Sequence, residues 1–297
     1  MLFIEMTARC NERCLHCYAE SGPNRTEALS LQEIHGVLAQ ARAFGNPTVQ
    51  FTGGDPMIHP DLAAAVKLAS ELSYPDIEIY TNGLLLNPRL LSQLAPFSPR
   101  FAFSLYSHNA SVHDRITRVS GSFERTIAAI RRTKEAGLGV RIGATLMPEN
   151  QGQEQEISRF IETEIGLPPS HIHFAKIKSV GRGSDRHEAA PADGGSKRHR
   201  GRLSETKNQH RQASVRKRYG KLCVAADGNV YPCIFSRHTL LGNIHRQGLT
   251  EILHALDQRT LPEPSAVRWE SCRQSLSCRD CQIISYALGM ENEHAAA

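Results

Sequence analysis

From Phe3 to Ile177 the apolar positions follow two alternating rhythms. Short apolar runs of strand length occur at Phe3–Met6, Thr48–Phe51, Asp76–Tyr80, Phe101–Leu105, Val140–Leu146 and His171–Ile177. Between them, apolar residues recur every three to four positions in Ser30–Phe44, Pro60–Leu72, Pro88–Leu94, Phe123–Ala136 and Gln155–Glu164, which predicts amphipathic helices. Ser30 followed by Glu33 has the form of a capping box, and Gly137 and Gly166 stand where left-handed caps would end their helices.

Short strands alternating with helices imply right-handed crossovers and a parallel sheet. Six such units predict an α/β fold, a partial (β/α)6 TIM-type barrel. Chemistry in such barrels gathers at the carboxyl ends of the strands. A cysteine loop, Gly53-Gly54-Asp55-Pro56, Thr81-Asn82-Gly83 and Ser104–Ser107 all fall there.

After Ile177 the pattern changes. Ser179–Ser214 is rich in Gly, Ser, Arg and His with few large apolar residues, as expected of a mobile linker. Order is expected to resume with Lys221–Ala225 and Val230–Pro232, which flank Asp227-Gly228-Asn229 as a β-hairpin. The expected divisions are a barrel core over 1–178, a basic linker over 179–220, a small hairpin-plus-helix module over 221–290 and a tail over 291–297.

Composition narrows the class. A chain of 297 residues with 40% hydrophobic and 22% charged residues can build a full core. No apolar run approaches the roughly 18 residues of a membrane span, and the N-terminus lacks the regions of a secretory signal, so a cytoplasmic location is expected. The net charge of +5 is uneven: Lys197–Lys221 carries ten Lys or Arg residues against one acid, Glu205. The eight cysteines fall in two groups, Cys10, Cys14 and Cys17, then Cys223, Cys233, Cys272, Cys278 and Cys281. In a cytosolic chain, clustered thiols point to metal or redox chemistry rather than disulfides.

Cys10-x3-Cys14-x2-Cys17 lets one loop present three thiols to a single iron–sulfur cubane and leaves its fourth iron open to a small molecule. The alternative is zinc, with His16 as fourth ligand. The loop, placed after a first strand and followed by Tyr18, resembles the cluster loop of radical S-adenosylmethionine (SAM) enzymes. That resemblance implies a [4Fe-4S] cluster on Cys10, Cys14 and Cys17 whose open iron chelates the amino and carboxylate groups of SAM. Gly53-Gly54-Asp55-Pro56 is similar to the family's Gly-Gly-Glu-Pro turn, which meets the cofactor's amino group; Asp55 replaces the commoner Glu. Tyr18, Thr81, Asn82 and Ser104 resemble cofactor-lining positions, and Arg115 resembles an arginine near the cofactor's carboxylate; a turn, a cap or a surface ion pair would equally account for several of these. Gly121-Ser122-Phe123 and Gly181-Arg182-Gly183 also look like sequences of the family.

Cys223-x9-Cys233 with Cys278-x2-Cys281 resembles the auxiliary-cluster modules called SPASM and the shorter twitch domain. Four thiolates imply one auxiliary [4Fe-4S] cluster, the twitch arrangement, with a four-thiolate zinc site as the alternative. Cys272 remains over, as an alternate ligand, a hydrogen-atom donor to a substrate radical, or a small buried hydrophobe.

The resemblance implies reductive cleavage of SAM to a 5'-deoxyadenosyl radical that abstracts a substrate hydrogen, with a flavodoxin, ferredoxin or reductase as electron donor. The leading expectation is a maturase of ribosomally made peptides, performing crosslinking, epimerisation or oxidation. Because the chain starts close to its first strand, a separate leader-binding protein is the expected further partner. A dehydrogenase of a small sugar-like molecule is the alternative. An RNA-modifying or nucleic-acid-binding reading rests on the basic segment alone, which has only Tyr219 to stack on a base, so nucleic acid is not an expected partner. A non-catalytic iron–sulfur scaffold is the remaining possibility.

Overall fold

The structure, a computed structural model, describes residues 1–184 and 221–257. Six parallel strands follow one another in chain order: β1 Leu2–Thr7, β2 Thr48–Gly53, β3 Asp76–Thr81, β4 Arg100–Ser104, β5 Val140–Leu146 and β6 Ile172–Lys176. Each pairs only with its sequence neighbours in this part of the sheet, the singly wound order of a partial barrel. The intervening helices are α1 Leu31–Ala43, α2 Leu62–Glu71, α3 Pro88–Leu94, α4 Ala110–Thr117, α5 Ser122–Glu135 and α6 Glu154–Phe160.

Local chemistry accounts for most boundaries. Ser30 and Glu33 form the expected capping box at the start of α1. Gly137 and Gly166 take the left-handed conformation, with φ of 73° and 68°. The expected last helix stops being α-helical at Phe160 and continues through one π-turn, Ile161–Ile165. Among the helices between the six strands, one had no counterpart in the sequence expectations: α4, capped by the Asn109 side chain and buried along His113, Ile116 and Thr117.

Strand alternation sorts the two faces of the sheet. Leu2, Ile4, Phe51, Ile77 and Ile79 join Ile34, Leu38 and Val66 of the helices in one core. Full burial of each such side chain contributes roughly 1.5–3 kcal/mol. The alternate positions Gln50 and Glu78 face the inside, where Arg141 grips both carboxylate oxygens of Glu78 at 2.7 Å and Gln50 donates to the same group. The interior of the barrel is therefore built with paired charge.

The expected hairpin is present as β7 Leu222–Val224 and β8 Asn229–Tyr231, turning at Gly228 with φ of 78°. Its placement was not legible: β7 pairs in parallel with β1, with Phe3 opposite Cys223, so the hairpin continues the barrel sheet. The nine-stranded order is β6-β5-β4-β3-β2-β1-β7-β8-β9, where β9 is Gly242–Asn243. The last helix among the described residues, α7 Leu249–Asp257, rests on α1, with Thr250 N donating to Gln40 Oε1 at 2.8 Å. The first residues of the segment read as a linker are held in place: Gly181–Gly183 form one 3-10 turn against the cysteine loop.

Candidate active site

A β-bulge between Glu5 and Thr7 ends β1, and the chain then enters the cysteine loop. The loop is fixed from two sides. Arg13 N and Leu15 N donate to Thr117 O and Ile116 O at 3.0 Å each, at the end of α4. Asp55 N donates to Arg9 O at 3.0 Å, and Gly54 N to Thr7 O at 2.6 Å, tying the turn after β2 to the start of the loop.

That second tie explains the paired glycines. A Cβ on Gly53, whose φ is 128°, would stand 2.4 Å from Thr7 O, and one on Gly54 would stand 2.1 Å from Arg9 O. The backbones approach so closely that only glycine fits. Gly181, with φ of 56°, is in the same position, because its Cβ would meet Tyr18 O at 2.5 Å.

Asp55 is completely buried. Its Oδ2 accepts from Thr81 Oγ1 at 2.7 Å and Asn82 N at 2.9 Å, and its Oδ1 from Met57 N at 2.9 Å, which caps the short turn that Pro56 begins. Burial pushes its pKa up to about 6 against the pull of these three bonds. Three of the carboxylate's roughly four acceptor sites are thus spent on the turns after β2 and β3. Asn82 in turn reaches the cysteine loop, donating to Asn11 Oδ1 at 2.6 Å and approaching Cys10 Sγ at 3.8 Å. Asp55, Thr81, Asn82 and Cys10 therefore form one connected unit.

Burial raises the pKa of Cys10 and Cys14 well above the ordinary thiol value, and the neighbouring thiols add like charge. Cys14 Sγ donates to Glu12 Oε2 at 3.1 Å. Glu12 is itself buried, its pKa raised to about 8 by desolvation, and its Oε1 has no hydrogen-bond partner. Among the described residues, no three His, Cys, Asp or Glu side chains converge on a point as one metal ion requires. The ring of His16 packs edge-on against Tyr106 at 4.7 Å. Three soft thiols presented by one loop are a donor set suited to an iron–sulfur cluster.

The remaining sites divide. Ser104 lies at the end of β4 between the buried phenols of Tyr80 and Tyr106. Tyr18 turns away from the cluster of turns and toward the hairpin module, edge-on to Phe235 at 5.3 Å and beneath the Arg237 guanidinium at 5.3 Å. Arg115 is exposed on α4, whose buried face is His113, Ile116 and Thr117. Its neighbour Asp114 fixes the start of α5, accepting from Gly121 N, Ser122 Oγ and Phe123 N at 2.6, 2.8 and 2.9 Å. Cys223 and Cys233 are buried on and just after the hairpin. Cys272, Cys278 and Cys281 lie outside the described residues.

Sequence reasoning passed over Asn11, the support given by α4, and the role of Arg182, whose Nε donates to Cys14 O at 2.9 Å and Nη2 to Ser21 O at 3.0 Å. The helical spacing of Val112, His113, Ile116 and Thr117 behind a capping Asn109 was the available signal for α4.

A parallel partial barrel whose strand ends gather three thiols and a glycine turn is the architecture of a cofactor-dependent radical enzyme. The chain belongs to the radical SAM superfamily, which matches residues 4–161, and residues 216–282 match the iron–sulfur cluster-binding domain SPASM. The two matches imply S-adenosylmethionine, a [4Fe-4S] cluster and auxiliary iron–sulfur as its cofactors. The AdoMet-dependent heme synthase of Methanosarcina barkeri is 30% identical over 193 residues, covering 64% of this chain and 54% of that protein. The Bacillus subtilis antilisterial bacteriocin subtilosin biosynthesis protein AlbA is 24% identical, covering 94% of this chain and 66% of that protein. The chain spans between about half and two thirds of the length of these two relatives. Among solved structures, Streptococcus suis SuiB bound to S-adenosylmethionine superposes with a TM-score of 0.64 at 17% identity, covering 95% of this chain and 71% of SuiB. SuiB bound to its precursor peptide SuiA gives 0.62 at 18% identity, covering 85% and 64%. No helix among the described residues is long and apolar enough to cross a membrane.

Proposed function

We propose that this enzyme reductively cleaves SAM and uses the resulting radical to modify a ribosomally synthesised peptide by crosslinking, epimerisation or oxidation. The observation that carries the reading is the connected unit in which the turns after β2 and β3 clamp the cysteine loop through Gly54, Asp55 and Asn82. When bound, the [4Fe-4S] cluster supplies the electron that splits SAM into methionine and a 5'-deoxyadenosyl radical.

In this reading Cys10, Cys14 and Cys17 hold that cluster, and Cys223 and Cys233, with Cys278 and Cys281, hold the auxiliary one. Gly53 and Gly54 keep backbone polar groups at the mouth, Thr81, Asn82 and Ser104 line it, and Pro56 starts the turn that seals it. The chain's work is positioning and exclusion of water rather than acid–base catalysis. Asp55 acts on the cofactor through the turns that it holds. Tyr18 belongs to the junction with the auxiliary module, and Arg115 is free to meet a group approaching from solvent. The peptide substrate is supported by the likeness to AlbA, named for bacteriocin biosynthesis, and to SuiB, whose structure holds a precursor peptide. A small-molecule substrate is the second reading, favoured by the heme synthase match.

The test is anaerobic reconstitution, iron and sulfide counting, and dithionite-driven cleavage of SAM, for wild type and for Cys10→Ala/Cys14→Ala/Cys17→Ala. The expected result is loss of one cluster and of all 5'-deoxyadenosine in the variant. Undiminished deoxyadenosine in the variant overturns the assignment. Mass spectrometry of peptides encoded beside the gene then separates peptide from small-molecule chemistry.

A further inference from the structure

On the outer side of the cysteine loop lies a cavity of about 250 Å³ that the reaction described above does not use. Arg13, Arg25, Arg118 and Arg182 line it, with Glu20 as the opposing charge. Arg25 is engaged by Glu27 at 2.9 Å, and Arg182 is spent on the carbonyls of Cys14 and Ser21. Arg13 and Arg118 are exposed, and neither has an ion-pair partner among the described residues. Ser21 also lines the cavity; it is 2% exposed, and its hydroxyl has no hydrogen-bond partner. A buried donor without a partner beside surplus positive charge is suited to receive an anion.

The position of the cavity decides which anion. Its walls border the cysteine loop through two residues: Arg13 lies within the loop beside Cys14, and Arg182 holds the carbonyl of Cys14 and donates its N–H to Cys17 O at 3.1 Å. A carboxylate seated here is within a few residues of two of the three thiols, on the side where the loop meets solvent. We propose that this cavity is the docking point for an acidic one-electron carrier protein, whose surface carboxylate enters between Arg13 and Arg118 and whose reduced centre would pass one electron to the iron–sulfur cluster that Cys10, Cys14 and Cys17 would hold, the carrier being oxidised by one electron as the cluster is reduced by one. This rests on the radical reading given above. Complementary charge at such a surface acts mainly on encounter rate and is weakened by salt.

The experiment uses the full-length reconstituted enzyme with two reductants, a photoreduced acidic flavodoxin as the carrier probe and dithionite as the small-molecule control. In Arg13→Glu/Arg118→Glu the flavodoxin-driven formation of 5'-deoxyadenosine is expected to fall about tenfold or more at low ionic strength. The wild-type rate falls with added salt and the variant rate does not. Iron content and the dithionite-driven rate stay within about twofold, since neither depends on charge steering. If the double variant loads iron poorly, Arg118→Glu alone, distant in sequence from the cysteines, carries the same comparison. An unchanged flavodoxin-driven rate that keeps its salt dependence overturns the proposal. So does an unchanged flavodoxin-driven rate accompanied by weaker binding of an acidic test peptide, which would make the cavity a peptide site. Wild type that forms no deoxyadenosine even with dithionite overturns the radical reading itself.

Discussion

Arg237 and Glu5 form an ion pair that joins the C-terminal module to the first strand of the barrel, with the Glu5 side chain only 5% exposed. The guanidinium also lies over the rings of Tyr18 and Tyr231, at 5.3 and 5.0 Å. One side chain thus touches β1, the residue after Cys17, and the hairpin that carries Cys223. Burial pushes the Glu5 carboxyl up, and Arg237 pulls it back. Replacing Arg237 with Met leaves a buried carboxylate unpaired, so a loss of about 3–5 kcal/mol is expected in urea denaturation of the apo-protein. Glu5→Gln/Arg237→Met should recover most of it. Strictly additive single effects would show that the two residues are not coupled.

Gly54→Ala should disable the site more than it unfolds the chain. Its Cβ would overlap Arg9 O, forcing the cysteine loop and the turn after β2 apart. At least tenfold weaker SAM binding and lower iron loading are expected on reconstitution. Gly121→Ala is the control, because its φ is 73° but a Cβ there meets nothing within 4 Å. It should cost only the left-handed backbone term, about 1–2 kcal/mol, and keep normal SAM affinity.

Asp55→Asn retains the shape of the side chain but turns an amide NH2 toward a donor in either orientation, the Met57 N–H in one and the Thr81 hydroxyl with the Asn82 N–H in the other. A stability loss of about 1–3 kcal/mol is expected. Because Asn82 reaches Cys10 and Asn11, SAM affinity measured by calorimetry on the loaded enzyme should fall as well. Unchanged affinity with reduced stability would confine Asp55 to scaffolding.

His113 sets a pH dependence. It is fully buried between Tyr106 and Phe123, Tyr106 N donates to its Nδ1, and desolvation lowers its pKa to about 4. The unfolded chain therefore binds the proton more readily, and this group's contribution to stability, complete above the ordinary histidine value, is lost as pH falls toward 4. Between pH 7 and pH 5 the loss from this group is about 2 kcal/mol. His113→Phe should be less stable than wild type at pH 7, and the gap should narrow as pH falls. A gap that is constant from pH 7 to pH 5 would show that His113 does not titrate across folding.

Ser30→Ala tests the N-terminal helix cap that was written plainly in the sequence. The capping box involves only Ser30 and Glu33, so a loss of about 1 kcal/mol with unchanged SAM binding is expected. A change in iron loading would contradict the separation between that helix start and the site.

Features that depend on near neighbours in the chain could be read from residue order. The six strands follow from runs such as Val140–Leu146, the capping box from Ser30 and Glu33, the hairpin turn from Asp227-Gly228, and the thiol loop from the spacing of Cys10, Cys14 and Cys17. Each is settled by interactions over a few residues. Where those pieces meet was set only by packing in three dimensions. Nothing local in Leu222–Val224 says that it pairs with β1, because a strand's edge finds its partner through long-range hydrogen bonding and shared burial. Nothing local in Asp55 says that its carboxylate is spent on Thr81 and Asn82 rather than turned to the mouth, or that Tyr18 faces Arg237. Helix α4 was missed because its polar residues dilute the apolar stripe, and its buried face packs on Tyr106, Phe123 and Met147 as well as on the cysteine loop. The family was legible because thiol spacing is a local code. The joining of the Cys223 hairpin to the barrel was not, because it rests on the pairing of β1 with β7 and on Glu5 and Arg237, which lie 232 residues apart in the chain.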